Sequence, residues 1–404
     1  MGAIEKKLKL VLIVIFCLIL SAGMAASFLL PDQDFSDREN RELAGHPAFS
    51  GKAFLKGKYQ KRYEKWLSDQ FVFRDEWSAL CANMQRMVGK KDVNGIYLGK
   101  DGYLLEKQEE VNFDKEQVQN NVEILSSFLN DAAEQYGSEK VSCMMIPSKT
   151  VVMEEKLPLY AEPDDTGKVI KDLRNRLHQP ALLLDAEDFL KGHQEEYIYY
   201  RTDHHWTTLG AYYAWNGWAE KMGFPNRTVE HYRRETVFDD FYGTTYNKAQ
   251  VHVAADSVEL FHSPGEDGVQ VEMDDSGKVN DSLYFPQEAG KGFNRYNVFF
   301  SKNTFKIVVT TKADTGRTLL LFKDSFANCF VPFLLEDYER IIMIDYRYGK
   351  TSAGSIMGQH PEITDVLVLF HTEKFMQNTK LGKLADTDGG KSGMEEFNPD
   401  DFIN

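Results

Sequence analysis

Strand and helix signals alternate along this chain in the order of an α/β fold, and three observations carry that expectation. Four short runs, Val141 to Ile146, Thr318 to Phe322, Arg340 to Ile344 and Asp365 to Phe370, are apolar almost throughout, as strands buried on both faces of a parallel sheet are. The order strand, helix (about Thr166 to Leu177), strand (Ala181 to Leu184), helix, loop, helix (Thr207 to Met222) is the alternation that a parallel sheet requires. The residues with the most chemical potential, around Asp203 and Ser325, fall in loops that follow such strands, where open α/β sheets place their sites.

The elements follow in order from the N-terminus. Lys6, Lys7 and Lys9 precede an uncharged run from Leu10 to Leu30, 21 residues, long enough to cross the roughly 30 Å hydrocarbon core of a bilayer. The lysines keep the short tail in the cytoplasm and put the rest outside. Ser21-Ala22-Gly23 and Gly23-Met24-Ala25 are small enough for a signal peptidase, but the run exceeds the ~7–15 residues of a signal peptide, which favours an uncleaved anchor. Residues 31 to 50 read as a tether. Lys52 to Val88 reads as two aromatic-rich helices whose apolar stripes are expected to pack into the core. Asn94 to Leu105, with Gly95, Gly99 and Asp101-Gly102, predicts a hairpin, and Lys115 to Tyr136 a helix with Val118, Val122, Leu125 and Leu129 on one face. Thr207 or Thr208 is suited to cap the helix that ends at Gly223.

Between 226 and 315 the pattern changes to short alternating runs, Gln250 to Val253, Val258 to Phe261 and Val269 to Met273, between Gly and Asp clusters. This predicts a β-rich insertion. The expected organisation is an anchor at 1–30, the first part of the α/β domain at 31–225, the insertion at 226–315, the second part at 316–384 and a flexible acidic tail at 385–404. Net charge is −15, or −17 beyond the first 30 residues, which hold three Lys and one Glu. Such a chain lacks the basic footprint that nucleic acid needs. Cys81, Cys143 and Cys329 are odd in number outside the apolar run and lack metal spacing, so they read as small hydrophobes.

Thr202-Asp203-His204-His205-Trp206 places a carboxylate and two imidazoles side by side, and Leu319 to Phe322 leads through Lys323-Asp324 into Ser325. A serine hydroxyl is a weak nucleophile until an imidazole takes its proton and a carboxylate fixes that imidazole's tautomer. Neighbouring residues in an extended loop point to opposite sides, so 203 and 205 share a face and His205 is the expected base. Ser325 also reads as an N-cap for a helix over Phe326 to Leu335. Zinc binding is the rival role for Asp203, His204 and His205, but no His-x-x-His or Cys cluster supplies further donors, so no metal is expected; no organic cofactor is implied. Arg347, Asn328 and Asn303 are candidate donors to an oxyanion or substrate. Trp206 is a candidate for stacking on a sugar ring, with packing beneath the loop as the alternative, and His204 a candidate substrate contact.

The tetrad Asp203-His204-His205-Trp206 resembles the name-giving motif of the bacterial DHHW family. Glu39-Asn40-Arg41-Glu42-Leu43, Asp69-Gln70-Phe71-Val72-Phe73-Arg74-Asp75, Asn94-Gly95-Ile96-Tyr97-Leu98-Gly99, Pro147-Ser148-Lys149 and Lys323-Asp324-Ser325-Phe326-Ala327-Asn328 resemble that family's pattern in the same order. The family in turn resembles the SGNH-hydrolase-like domains of alginate O-acetyltransferases, which read Asp-x-His-Trp at the tetrad. The resemblance implies a three-layer, flavodoxin-like parallel sheet, circularly permuted so that Asp203 and His205 precede the nucleophile Ser325. It implies O-acetyl transfer or ester hydrolysis on a cell-surface polysaccharide, with a membrane-bound O-acyltransferase as partner. The chain departs from the pattern at Lys323, where SGNH proteins have the Gly of Gly-Asp-Ser, and at Ser301-Lys302-Asn303, where relatives have Gly-Gly-Asn. The alternative is an inactive polysaccharide-binding or scaffolding subunit of a cell-envelope acylation complex.

Overall fold

The computed structural model describes residues 2–36, 41–107, 113–274 and 276–385. The expected tail, and Glu39 and Asn40 of the N-terminal pattern, lie outside these, apart from Ala385.

Helix α1 (Gly2–Leu29) contains a segment, Glu5–Ser27, long and apolar enough to cross a membrane. A short ladder β1 (Phe35–Ser36) and β2 (Arg41–Glu42) leads to α2 (Gly51–Leu55), α3 (Lys58–Asp69) and α4 (Arg74–Met87). The buried Asp69 carboxylate ties this region together. It accepts from both Arg41 terminal nitrogens (2.9 and 2.6 Å) and from the Ala44 amide (2.9 Å). Asn94 to Leu105 folds as part of a three-stranded antiparallel sheet, β3 (Asp92–Val93), β4 (Ile96–Leu98) and β5 (Leu104–Glu106). The apolar stripes of α3 and α4 only partly join the core: Trp66 and Ala82 are buried, whereas Leu67, Phe71, Phe73 and Trp77 are exposed.

The central sheet has eight strands. Along the chain come α5 (Lys115–Tyr136), β6 (Val141–Ile146), the single turn α6 (Lys149–Val152), α7 (Gly167–Arg176), β7 (Leu183–Asp185), α8 (Glu187–Leu190) and α9 (Thr208–Met222). Thr207 caps α9 by accepting from the Gly210 amide, and Gly223 ends it at φ 73°, both as expected from sequence. There follow β8 (Arg233–Phe241), α10 (Thr244–Ala249), β9 (Asp256–His262), β10 (Gln270–Met273), β11 (Val279–Asn280) and β12 (Lys306–Thr310), then β13 (Thr318–Lys323), β14 (Arg340–Ile344) and β15 (Asp365–His371). The strand order is β11-β10-β12-β14-β13-β15-β6-β7, parallel from β14 to β7 and antiparallel from β11 to β14.

Residues 226–315 do not stand apart from this sheet. β8 and β9 form their own ladder, while β10, β11 and β12 extend the main sheet beyond β14. Val271 and Ile307 thereby join the main core. Gln250 to Val253 is not a strand. Gln250 takes a positive φ (55°) at the end of α10, and the Asn83 side chain pairs with the Gln250 carbonyl and the His252 amide in place of a ladder partner.

Alternation along each central strand splits the core. Leu319 and Leu321 of β13 face one cluster with Trp215, Trp218 and Phe330, and Leu320 and Phe322 face another with Leu125, Phe128 and Leu173 of α5 and α7. Side chains are thus buried on both sheet faces, and the loops after β13, β15 and β6 meet at the carboxyl edge. Cys143 and Cys329 are buried free thiols and Cys81 is exposed.

Candidate active site

β13 delivers the serine. After Lys323 the chain turns into a short 3-10 helix, Ser325–Cys329, and a second, Val331–Leu334, where Pro332 lacks the amide a longer helix needs. Asp324, not Ser325, is the N-cap. One of its oxygens accepts from the Phe326 amide (2.9 Å) and the other from the His371 amide (2.7 Å) at the end of β15, which frees the Ser325 hydroxyl. Ser325 is partly exposed in a stretch that is otherwise buried.

The loop before α9 delivers the imidazole. Its backbone is held by buried charges. Asp256 accepts from the Arg201 amide (2.9 Å), the Thr202 amide (2.7 Å), the Thr202 hydroxyl (2.6 Å) and the Tyr197 hydroxyl. Lys149 donates to the carbonyls of Tyr200 (2.8 Å), Arg201 (3.3 Å) and Asp203 (2.7 Å), and burial pulls its pKa down to about 8.

The Asp203 carboxylate is saturated. Oδ1 accepts from the His205 amide (3.0 Å) and from His205 Nδ1 (2.5 Å), and Oδ2 from the Thr244 amide (2.8 Å) and hydroxyl (3.0 Å). The last two require the α10 start to approach closely, and a β-carbon on Gly243 would lie 2.2 Å from Asp203 Cβ. Burial by itself raises the Asp203 pKa, but His204, His205 and the Thr244 amide outweigh it and hold the group well below the ordinary carboxylate range. An ionised Asp203 accepts only, so His205 Nδ1 carries the proton and Nε2 presents a lone pair. Ser325 Oγ is 2.8 Å from that Nε2. The ring of Tyr296 stacks on His205 (centroids 3.9 Å apart, planes 9° apart), and its hydroxyl donates to the Ser325 carbonyl (3.0 Å).

His204 faces elsewhere. Its Nδ1 is 2.7 Å from Thr244 Oγ1, whose own proton goes to Asp203, so Nδ1 is the donor and Nε2 is left uncommitted. Burial first, then the neighbouring His205, push its pKa well below 6.5. It lines a small cavity with Asp164, His371 and Glu373; burial raises the Glu373 carboxyl to about 7. Asp203, His204 and His205 hold potential ligand atoms within 4.8 Å of one another. The 2.5 Å contact between Asp203 and His205 Nδ1 closes the gap in which an ion would need about 2.0–2.2 Å to each donor.

Three further candidates take other places. Trp206 is fully buried, donates to the Phe326 carbonyl (3.0 Å) and packs on Phe326 and Phe330, so no sugar can reach its face. Arg347 is drawn to Asp345, which accepts from its Nε (2.9 Å) and Nη2 (2.6 Å). Asn328 is spent on its neighbours: its oxygen accepts from Lys323 Nζ (2.7 Å) and its amide donates to Asn303 Oδ1 (3.1 Å). Lys323 also donates to Asn303 Oδ1 (3.1 Å), which fixes the amide orientation and leaves Asn303 Nδ2 as the group available to donate. Ser301 has φ 59°, the left-handed region that glycine favours. Lys149, Thr244, Asp256 and Tyr296 were not singled out from sequence. Lys149 stood only within a motif, and the others carry no local signal.

Fold and site together define an α/β protein whose mixed sheet carries a hydrogen-bonded Asp-His-Ser relay at the carboxyl edge of its parallel strands. The chain belongs to the DHHW protein family, whose sequence pattern matches residues 137–344 and so takes in both the tetrad and Ser325. Among solved structures it is similar to a DHHW family protein from Eubacterium siraeum, at 25% identity over 72% of this chain and 95% of that one, with a TM-score of 0.56. It shares its fold with PatB1 of Bacillus cereus, at 21% identity over 69% of this chain and 98% of that one (TM-score 0.56). A second PatB1 structure, with a sulfonyl adduct, is 20% identical over 69% and 94% of the two chains (TM-score 0.55). No functionally curated protein matches the sequence.

Proposed function

We propose that this protein is an extracytoplasmic serine-dependent O-acyltransferase or esterase acting on a cell-surface polysaccharide. The observation that carries the reading is His205, hydrogen-bonded at 2.5 Å to Asp203 and at 2.8 Å to Ser325. Ser325 Oγ attacks the acyl carbonyl while its proton passes to His205 Nε2. Asp203 keeps the imidazole in place and balances its positive charge. The oxyanion meets Asn303 Nδ2 and the Ser325 amide, which begins its helix and has no acceptor within it. His205 then returns the proton to the departing alcohol, leaving an acyl-serine. A sugar hydroxyl or water attacks in the reverse sense, with His205 again as base.

Acetyl and polysaccharide enter from the resemblance to alginate O-acetyltransferases, as does a membrane-bound O-acyltransferase that would supply the acyl group. The circular permutation of the SGNH order belongs to the same proposal. We read α1 as an uncleaved anchor with the catalytic residues outside. A mature N-terminus between Ala22 and Ser27, found by mass spectrometry of the native protein, would replace the anchor by a cleaved signal.

PatB1 has been obtained with a sulfonyl adduct, and the corresponding test applies here. An aromatic sulfonyl fluoride should label Ser325, located by peptide mass spectrometry, and the label should be lost in His205→Ala. Labelling without dependence on His205, or none at Ser325, refutes an activated serine and leaves the scaffolding alternative.

A further inference from the structure

Helix α4 is built the wrong way round for a soluble protein. Ala82 is buried against Val93, Ile96 and Val251, Asn83 binds the backbone of Gln250 and His252, and Arg86 donates to the His252 carbonyl. The small and polar side therefore faces the protein. Phe73, Trp77, Leu80, Met84, Met87 and Val88, at 47% to 85% exposure, face away from it. At about 100° per residue Trp77, Leu80, Met84, Met87 and the C-cap Val88 fall within an arc of about 100°, opposite Ala82, while Phe73, at φ 55°, immediately precedes the helix. Contiguous apolar surface of this kind marks an interaction site, not a folding element.

Two observations identify what covers it. The start of α4 is fastened to the outer end of α1: the Val72 amide donates to Ser27 Oγ (3.4 Å), and Val72 lies against Gly23. Residues 51–91 also carry ten Lys and Arg against four Asp and Glu, net +6 in a chain of net −15, which leaves −21 for the remainder. An apolar, tryptophan-bearing stripe within a basic segment, continuous with a membrane span, has the composition of a helix lying in a bilayer interface.

We propose that α4 lies in the headgroup region of a bilayer bearing anionic lipids, with the stripe from Phe73 to Val88 buried among the acyl chains. The proposal rests on α1 spanning the membrane and not on the catalytic reading. It gives the catalytic domain a second attachment beside α1, one that restricts its swivelling about the tether.

Trp77 supplies the test. It is the exposed one of the five tryptophans, since Trp66, Trp206, Trp215 and Trp218 are buried. The full chain is reconstituted into vesicles of phosphatidylcholine with or without phosphatidylglycerol, made with brominated or ordinary acyl chains. Trp77 emission is the difference between the wild type and Trp77→Phe. With phosphatidylglycerol present, bromination should lower that emission at least twofold. The double change Leu80→Glu, Met84→Glu should abolish the loss while hydrolysis of a small ester stays unchanged, which separates this proposal from the catalytic one. A nitroxide on native Cys81, in a Cys17→Ser background, gives an independent depth should Trp77→Phe fold poorly. Unchanged emission and a water-exposed Cys81 label overturn the proposal, as does protection that appears only when other membrane proteins are added. Equal quenching with and without phosphatidylglycerol overturns the anionic requirement.

Discussion

Replacing Asp203 by Asn tests the relay most sharply, because the structure allows the replacement amide only two orientations and both are faulty. Both carboxylate oxygens now accept from a backbone amide, His205 N on one side and Thr244 N on the other. An Asn side chain must turn its NH₂ toward one of them. Turned toward Thr244, it keeps an acceptor for His205 Nδ1 but sets donor against donor at a buried amide, costing about 1–3 kcal/mol of stability. Turned toward His205, it meets the same penalty and also donates to Nδ1. That drives the ring proton to Nε2 and removes the base that Ser325 needs. In either state the imidazolium formed during attack loses its carboxylate. For an established triad the equivalent change costs about 10⁴ in turnover, and a loss of this order is expected here. Hydrolysis of a chromogenic acetate ester measures it, and urea unfolding measures the stability term separately. Activity within about tenfold of wild type, with His205 still required, would show that Asp203 is structural and that the relay reading is wrong.

Further outcomes follow from the same contacts. Ser325→Ala should abolish ester hydrolysis and acyl transfer while leaving the unfolding midpoint nearly unchanged, since the side-chain contact it removes is the one to His205. Trp206→Ala should destabilise the domain by about 3–5 kcal/mol, as removal of a fully buried large side chain does; a raised KM for polysaccharide with unchanged stability would restore the sugar-stacking role. Lys149 makes stability depend on alkaline pH. Its folded pKa of about 8 lies below its ordinary 10.5, so the unfolded chain holds the extra proton between those values and stability rises with pH across that window, by about 3 kcal/mol in all. Buried Lys323, also lowered to about 8, adds in the same sense, so comparing urea unfolding of wild type and Lys149→Met between pH 7 and 10.5 isolates the Lys149 share. An unchanged pH slope in Lys149→Met refutes the assignment.

Much of this was legible in the sequence where chemistry and periodicity are local. The unbroken apolar runs at 141, 318, 340 and 365 are strands because each must fill a core on both sheet faces. His205 meets Ser325 as expected, though not by the alternation of an extended loop: residues 201–205 are a run of bends and the His204 and His205 rings lie 3.9 Å apart. What escaped was set in part by contacts distant along the chain and in part by carboxylates two residues from the groups they bind. Asp324 caps Phe326 two residues on, a role as open to it as to Ser325, and its second bond, to the distant His371 amide, is what the local sequence does not reveal. Arg347 sits at the expected sheet edge, yet Asp345 two residues earlier captures its guanidinium. Strand β10 reads like a member of a separate insertion, and only its register with β12, and that of β12 with β14, joins it to the main sheet. For α4 the period was right and the direction wrong, because an apolar stripe at helical spacing carries no mark of whether protein or lipid receives it.

The relay is positioned from outside itself. Asp203 is held by Thr244 at the start of α10, the carbonyls around it by Lys149 after β6, the neighbouring amides by Asp256 of β9, and the His205 ring by Tyr296, which also holds the Ser325 carbonyl. These four residues come from separate stretches of the chain, so the geometry is determined only when the whole domain has folded. A hydroxyl and an imidazole must stay within a few tenths of an ångström of a productive hydrogen bond for proton transfer to keep pace with attack. Buried, ionic and multiply bonded supports resist displacement better than loop residues facing water do. Thr244 shows the economy of the arrangement. It bonds Asp203 through its amide and hydroxyl and accepts from His204 Nδ1, so one residue both orients the carboxylate and fixes the second imidazole. Thr244→Val keeps the shape and the amide bond but removes the hydroxyl. It frees His204 to swing and leaves Asp203 one hydrogen bond short, so turnover should fall while the fold persists. A variant with wild-type turnover would show that the Thr244 amide alone positions Asp203.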